Sequence, residues 1–307
     1  MTVARGELGC VTNQTRAVCG GGSAAPGDSD VMDYGTIAST GTFVDFGNLV
    51  DDREAVGGGI SNGTRGIFYG GASPAQNTIE YITIMTTGNS TDFGDSLDTE
   101  IRRHGCSNST RGLIAGSNTP TTNLGIEYLT TATLGNSIDF GDMTLARRNM
   151  GAVASPTRAV FMGGQLPAPS PGQSNVLDYV EFATTGNASD FGDLTQTIMA
   201  GSACANSTRA LYCGGYSTPG NPINNIEYVT IATKGNSIDF GNGTLARKDG
   251  ASLASKTRGI TAGGSNPTLQ NRIDSMEIAT TGDALDFGDL SETRTSVNGS
   301  SNAHGGL

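Results

Sequence analysis

The chain has 307 residues, with 46 glycines and no tryptophan, and its formal net charge is −11, from 29 acids against 18 bases. This surface charge repels a phosphate backbone, so nucleic acid is excluded as an expected partner. No apolar stretch approaches the roughly 18 residues that cross a bilayer, and the N-terminal residues have no apolar run typical of a signal peptide. Membrane insertion and secretion through a signal peptide are therefore not predicted.

Three markers recur in one order along the chain. Asp-Phe-Gly occurs six times, at steps of 47, 47, 51, 49 and 47 residues, and a Thr-Arg pair keeps the same period. An acid-Tyr pair does so in five copies and becomes Asp274-Ser275 in the sixth. The repeated arginines and aspartates are Arg16, Asp45, Arg65, Asp92, Arg111, Asp139, Arg158, Asp190, Arg209, Asp239, Arg258 and Asp286. A period of 45–50 residues predicts an array of six structural units.

The fourth copy illustrates the elements of one unit in chain order. A small apolar strand covers residues 149–154, and a second strand covers residues 158–162 and ends at a diglycine. A variable loop leads to a third strand over residues 176–184. Turn residues from Gly186 to Gly192 then precede a fourth strand. Four antiparallel strands per unit predict an all-β fold, a six-bladed β-propeller, because six such sheets can cover one another's faces.

The arginine, the small-residue strand, the diglycine, the acid-Tyr pair and the aromatic Asp-Phe-Gly resemble the kelch repeat, with phenylalanine where that family usually has tryptophan. The repeated phrases resemble kelch-like virion proteins of marine bacteriophages. The segments 137–141 and 237–241 also resemble the Asp-box of sialidase-type propellers, which is a folding element there. The resemblance implies a propeller domain over residues 1–293.

The first strand of the unit occurs seven times. Residues 5–11 match residues 147–153, and residues 294–300 match both. One copy is therefore surplus, swapped or used for docking. We assign residues 294–307 to a surplus strand followed by a glycine-rich tail.

The two ends of the units have different expected roles. The Thr-Arg turn and the Asp-Phe-Gly turn share one rim, which predicts repeated Arg–Asp contacts such as Arg158 with Asp190. A ring of arginines that binds anions is the alternative.

The opposite rim carries loops of variable length at residues 23–31, 73–78, 118–125, 165–175, 216–225 and 265–271. Rigid folds often carry binding residues on such loops. These loops are nearly uncharged, which suits a protein or a carbohydrate, although they could merely connect strands. Their candidate binding residues are Asp28, Gln76, Thr121, Gln165, Tyr216, Asn224 and Gln270.

Catalytic chemistry is sparse in the sequence. With only His104 and His304 present, a Ser-His-Asp triad or a zinc site is not expected. The five cysteines are interpreted as small buried residues, without a disulfide or metal framework. A glycosidase would need acids that break the repeat, and Asp28, Asp30 and Glu100 look like solvated loop charges. No cofactor and no metal are predicted.

These features favour a non-enzymatic structural or adhesion protein, a virion component of the phage tail or fibre that is assembled in the host cytoplasm. Its expected partners are other virion proteins or a glycan of the host surface. Two alternatives stay open. A carbohydrate-active enzyme, of glycosidase or sialidase type, would need an acid pair in the central funnel. A cytoplasmic kelch adaptor would be expected to have the family's tryptophans.

Overall fold

The computed structural model describes residues 1–39, 41–99, 104–117, 123–167, 172–217, 220–296 and 298–299. These residues form strands and turns and contain no helix. Consequently, the described part of the chain holds no helix that could cross a membrane.

Six units of four strands follow one another, numbered here in chain order. The first strands are β1 (Gly9–Thr12), β7 (Gly57–Ser61), β11 (His104–Ser107), β15 (Gly151–Ala154), β19 (Ser202–Ala205) and β23 (Ala251–Ala254). The second strands are β2 (Arg16–Gly20), β8 (Arg65–Tyr69), β12 (Arg111–Ala115), β16 (Arg158–Met162), β20 (Arg209–Ser217) and β24 (Arg258–Ala262). The third strands are β5 (Val31–Thr36), β9 (Thr78–Thr83), β13 (Gly125–Thr130), β17 (Ser174–Glu181), β21 (Asn221–Thr230) and β25 (Gln270–Glu277). The fourth strands are β6 (Val44–Asn48), β10 (Thr91–Asp95), β14 (Ile138–Asp142), β18 (Ser189–Met199), β22 (Ile238–Asn242) and β26 (Leu285–Arg294). A small hairpin, β3 (Ser23–Ala24) with β4 (Gly27–Asp28), lies in the first variable loop.

Each unit is an antiparallel sheet whose strands are neighbours in the order in which the chain makes them. Units four and five join into one larger sheet, because the end of β18 pairs with β20 at Ile198↔Ser217 and Met199↔Tyr216. The predicted all-β class with antiparallel sheets is confirmed.

The Asp-Phe-Gly sequence lies inside the fourth strand and not in the preceding turn, which corrects the prediction. In unit four, Leu177 pairs with Gly192 and Asp178 pairs with Asp190, so Phe191 is an extra residue in the ladder. This is a β-bulge. The extra phenylalanine turns into the core and is buried, which explains why the sequence keeps an aromatic residue there.

The core lies between the units. The first strands of consecutive units lie side by side, from β1 through β7, β11, β15 and β19 to β23. Each of the five buried clusters is shared by two consecutive units; in one, Phe46 of unit one packs with Phe68 and Ile82 of unit two. A four-stranded sheet cannot bury both faces alone, so packing between neighbours supplies the hydrophobic burial that stabilises the array.

The cysteine prediction needs a correction in unit one. Cys10 and Cys19 are directly opposite in the pairing of β1 with β2 and form a disulfide. Cross-strand neighbours have the short Cα separation that a disulfide requires. Cys106, Cys204 and Cys213 are buried and free, as expected. Burial raises the pKa of the Cys106 thiol to about 12.

Candidate functional site

The first strands surround a cavity of about 510 Å³. All six units contribute to its lining, and so do Ser296, Asn298 and Gly299 near the end of the described chain. A second cavity of about 100 Å³ lies further along the same strands and shares Gly59 and Ala203 with the first. The lining is rich in Gly, Ala and Ser, so backbone N–H and C=O groups lie close to any molecule bound there.

One repeat position lines this cavity in each copy that the structure describes. It lies just before the first strand and has a left-handed φ of 49–55°. Its occupants are Glu7, Ala55, Asn149, Ala200, Asp249 and Ser296. A left-handed φ disfavours residues that carry a Cβ, so its recurrence means that the fold fixes the backbone while the side chain varies. The cavity therefore has a repeated geometry but an irregular chemistry.

Sequence reasoning missed this position because it lies between the markers. Aligning the first strands on Arg5, Arg147 and Arg247 would have found it, two residues further along in each copy. Two of its occupants, Glu7 and Asp249, are the only carboxylates among the described residues that line the cavity. The Asp249 carboxylate lies 3.5 Å from Lys248 Nζ, and that ammonium lies 5.4 Å from the Tyr216 ring centre.

His104 of unit three also lines the cavity and is larger than the Gly, Ala and Ser residues that predominate there. It is half-buried as a residue, but its Nε2 is shielded from solvent and has no hydrogen-bond partner in the described part of the chain. Burial lowers the pKa of His104 to about 4, because the imidazolium is desolvated without a compensating charge. The imidazole is therefore neutral at physiological pH.

The variable loops lie at the same end as the cavity position. Short bridges tie the segment before the first strand to the loop, as between Arg148 and Gln165 or between Lys248 and Ser265. Gln165 Oε1 also accepts a 3.3 Å hydrogen bond from Asn149 Nδ2, so this predicted loop residue directly contacts a cavity residue. Tyr216 reaches the cavity edge indirectly, under Lys248.

The other predicted loop residues do not converge on one point. Gln76 accepts from Arg53 Nη1, Asn224 donates to the Gly243 carbonyl, and Gln270 donates within its own loop. Partial desolvation, followed by the negative charges of Glu54 and Asp52, raises the pKa of Asp28. Thr121 and Glu100 lie outside the described residues.

The Thr-Arg arginines do not make the predicted contacts with the Asp-Phe-Gly aspartates. Arg158 instead forms an ion pair with Glu181 at 2.5 Å, stacks on Tyr179 and donates to the Ile231 carbonyl of the next unit at 2.7 Å. The first five arginines lie 4.1–4.8 Å from the ring centre of the tyrosine in the acid-Tyr pair, at Tyr34, Tyr81, Tyr128, Tyr179 and Tyr228. The planar guanidinium favours this stacked position over a pair with an exposed carboxylate.

The aspartates have a local role at their bulge. Asp139, Asp190, Asp239 and Asp286 each accept a hydrogen bond of 3.0–3.2 Å from the backbone N–H of the glycine two residues later. In the sixth unit, Asp286 also pairs with Arg272 at 2.8 Å. The acids of the Asp-Phe-Gly sequence thus hold the bulge, while the arginines join units.

A buried ion pair that the sequence analysis did not predict lies at the other end of the unit. An arginine ahead of the first strand reaches the acid of the acid-Tyr pair at 2.5–2.8 Å. The pairs are Arg5–Asp33, Arg53–Glu80, Arg147–Asp178 and Arg247–Asp274. Burial lowers the pKa of Arg147, opposed by the charge of and hydrogen bond to Asp178. The charges of these four ion pairs are therefore neutralised inside the fold and are not available to a ligand.

The cavity and its rim can bind a polar molecule or a side chain of a partner through backbone groups, two carboxylates and an amide. No group of three His, Cys, Asp or Glu in the described residues is placed to hold a metal ion. The chain matches no model of a known protein family. No curated protein matches it either.

Proposed function

We propose that the units are the blades of a kelch-type β-propeller, with the cavity on its axis. Three observations support this. The four strands of each unit are ordered from an innermost first strand outward, the first strands of consecutive units are adjacent, and one cavity is lined by all six units. Four-stranded sheets arranged radially around a central channel have these properties.

We propose that this propeller is a non-enzymatic structural or adhesion protein of a bacteriophage virion, in the tail or a fibre. The observation that carries the proposal is the division of its polar residues. The periodic arginines and acids bind one another or backbone groups of their own or the next unit, whereas the non-periodic residues Glu7, Asn149, Gln165 and Tyr216 gather at one end. Recognition by docking needs such a rigid support with a variable surface.

Its proposed partners are neighbouring virion proteins or a glycan of the host surface, bound at the rim of variable loops. That rim offers amide, hydroxyl and tyrosine side chains around the cavity mouth, and the net charge of −11 disfavours polyanions. Fold alone does not determine function, so the proposal depends on the irregular rim.

The test is cryo-electron microscopy of the phage particle that carries the chain. We expect ordered, symmetry-related copies whose variable-loop rim contacts a neighbouring subunit or faces outward. A chain that is present in infected cells but absent from purified particles would overturn the virion proposal. Particles with Gln165→Ala and Tyr216→Ala should adsorb or assemble less well, whereas Ile138→Ala, an exposed residue of a fourth strand, serves as the matched control.

A second candidate function, a carbohydrate-active enzyme, is favoured by one observation. Glu7 and Asp249 place two carboxylates at the cavity position where other copies have Ala, Asn or Ser, and a glycosidase uses a pair of carboxylates. Hydrolysis of a glycan by the chain, with Glu7→Gln and Asp249→Asn each lowering the rate at least about 100-fold, would favour this function. Binding without hydrolysis would favour adhesion.

A further inference from the structure

In units one to five, the sheet face that carries the Asp-Phe-Gly phenylalanine is covered by the next unit. The same face of the sixth unit is uncovered. Phe287 of its Asp-Phe-Gly sequence is 57% exposed. The five equivalent phenylalanines are at most 3% exposed: Phe46, Phe93, Phe140, Phe191 and Phe240. The same residue type is therefore in the core wherever a following unit packs on it, and in solvent only at this end.

The five covered faces share one set of contacts. A glycine N–H in the turn of the next unit donates to the phenylalanine carbonyl at 2.7–2.8 Å, for example Gly235 to Phe191. The residue after that glycine uses its side-chain oxygen to accept from the backbone N–H that follows Asp-Phe-Gly, at 2.8–3.1 Å. A Cβ on the Asp-Phe-Gly glycine would lie 2.3–2.5 Å from the carbonyl of that turn in these five copies, whereas Gly288 has nothing within 4 Å.

The first unit is uncovered on the facing side. Ile37 is 58% exposed, although its equivalents are almost fully buried: Ile84, Thr131, Phe182, Ile231 and Ile278. In each of those, the backbone carbonyl accepts a hydrogen bond from the Thr-Arg arginine of the preceding unit. Phe287 and Ile37 thus mark two complementary faces of a kind that is joined five times within the chain.

The innermost layer continues between these two faces. The Gly264 N–H donates to the Arg294 carbonyl at 2.8 Å, and the Ser296 N–H donates to the Asp249 carbonyl at 3.0 Å, as at the start of the other first strands. Asn298 Nδ2 then donates to the Leu8 carbonyl of unit one. The sequence predicts that the seventh copy of the first strand is surplus. It lies beside the start of unit six, where the first strand of a further unit would lie. Because it already reaches unit one, the gap outside it is one unit wide.

The side chain of Arg294 supports the same interpretation. Its four equivalents, Arg5, Arg53, Arg147 and Arg247, are buried against an acid of the third strand. Arg294 is 36% exposed and pairs only with the exposed Glu292 among the described residues, at 3.1 Å. Nothing in the described chain occupies the place of the second, third and fourth strands that would bring this acid.

We propose that this gap is a docking site for three antiparallel strands of another polypeptide, equivalent to the second, third and fourth strands of a repeat unit. The occupant needs an acid-Tyr pair for Arg294, a Gly-Asn or Gly-Asp turn for the Phe287 carbonyl and the Asp289 N–H, and an arginine for the Ile37 carbonyl. This is strand addition with specificity from side-chain pockets. It goes beyond the proposed function, because the gap is distinct from the rim of variable loops.

The chain offers its own probe. A synthetic peptide of residues 63–95 contains strands two to four of unit two, with Arg65, Glu80 and Gly88-Asn89 in the required places. Added to the full chain, the labelled peptide should bind saturably at one site, measured by fluorescence anisotropy. We expect Phe287→Asp and Arg294→Ala to weaken binding at least about tenfold each. Ile238→Asp, at an equally exposed apolar residue of a covered fourth strand, should leave it unchanged.

A double-mutant cycle makes the test specific. The peptide variant Glu80→Ala and the chain variant Arg294→Ala should each weaken binding, and together no more than either alone, because both remove one ion pair. Additive effects would show that the peptide binds elsewhere. Equal weakening by Ile238→Asp would reduce the interaction to non-specific adhesion and overturn the proposal.

A covalent variant tests the same proposal without a free peptide that could aggregate. Residues 63–95 are joined after residue 302, which places them behind the seventh first-strand sequence. We expect a higher melting temperature than that of the parent chain and slower amide hydrogen exchange at Ile37 and in β26, with Glu80→Ala in the graft as its control. If neither the peptide binds nor the graft gives protection, the proposal is wrong, whatever the particle experiment shows for the loop rim.

Discussion

Units four and five each bury a carboxylate of the third strand, and they satisfy it with different residues. In unit four, buried Asp178 receives the Arg147 guanidinium at 2.6 Å and the Thr144 hydroxyl at 2.5 Å. In unit five, buried Glu227 has the same place, but Ile198 stands where the arginine would be. Its carboxylate accepts from the Thr195 N–H and hydroxyl at 2.8 and 2.6 Å, from Asn225 Nδ2 at 2.8 Å, and from the Ser237 hydroxyl.

The difference separates what is constant from what is replaceable. In every described unit, the acid accepts from a residue ahead of the first strand, which in units two to six follows the Asp-Phe-Gly sequence of the preceding unit. These donors are Thr2, Val50, Leu97, Thr144, Thr195 and Thr244. A buried carboxylate needs its lone pairs satisfied, but neutral donors can satisfy them. The buried acid thus links each unit to the segment ahead of its first strand. The arginine is one of two ways to satisfy the remaining lone pairs of the carboxylate.

The largest expected effect comes from removing the acid where an arginine depends on it. Asp178→Asn leaves Arg147 buried without a counter-charge, and we expect the free energy of unfolding to fall by about 3–5 kcal/mol. Urea denaturation followed by circular dichroism measures it. Asp190→Asn, on an exposed aspartate of the same unit, should change it by less than about 0.5 kcal/mol. Similar losses of stability for both variants would contradict the role assigned to the buried acid.

Replacing the ion pair of unit four with the neutral hydrogen-bond donors of unit five tests whether the two arrangements are interchangeable. Arg147→Ile alone leaves Asp178 short of donors in a buried place and should destabilise the fold by about 3 kcal/mol. Val176 lies two residues before Asp178, as Asn225 does before Glu227. Adding Val176→Asn should return about 1.5 kcal/mol, the contribution of a hydrogen bond to a charged group. No recovery in the double variant would mean that the arginine has a role of its own.

A smaller effect is expected in unit five. Glu227→Gln keeps the shape but presents N–H groups to partners that are themselves donors, which should cost about 1–3 kcal/mol. No buried cation is stranded, so the loss must be smaller than for Asp178→Asn. Parallel urea titrations of the two variants decide the order, and a larger loss for Glu227→Gln would refute the comparison.

Much of this arrangement could be read from the sequence, and the limits have physical causes. The period, the four strands and the end of the unit with the variable loops all follow from repeated turn residues and alternating apolar runs. The partner of each arginine did not follow, because sequence period brings several acids equally near and only packing chooses among them. The acid-Tyr pair was recognised as a marker, but its burial was not, since charged residues are rarely buried unless paired.

The cavity was less predictable than the fold. Its defining position is left-handed in each described copy while its side chain varies among Glu7, Asn149 and Asp249. Composition gives no signal for such a site, since conformation and not residue type is what repeats. The disulfide between Cys10 and Cys19 was missed for a related reason: it depends on register, which the count of cysteines does not contain.

His104 is a third case, because its shielded Nε2 has neither an ion pair nor a neutral hydrogen-bond partner among the described residues. Its Nε2 has no described partner, and its pKa is lowered by burial to about 4 from an ordinary value near 6.5. Below pH 6.5 the unfolded chain takes up a proton that the folded chain refuses, so stability falls as the pH falls. Between pH 6.5 and 5.5 this contributes a loss of about 1 kcal/mol. His104→Gln should remove that part of the pH dependence in urea titrations at the two pH values. An unchanged slope would mean that the pKa of His104 is not lowered in the folded protein.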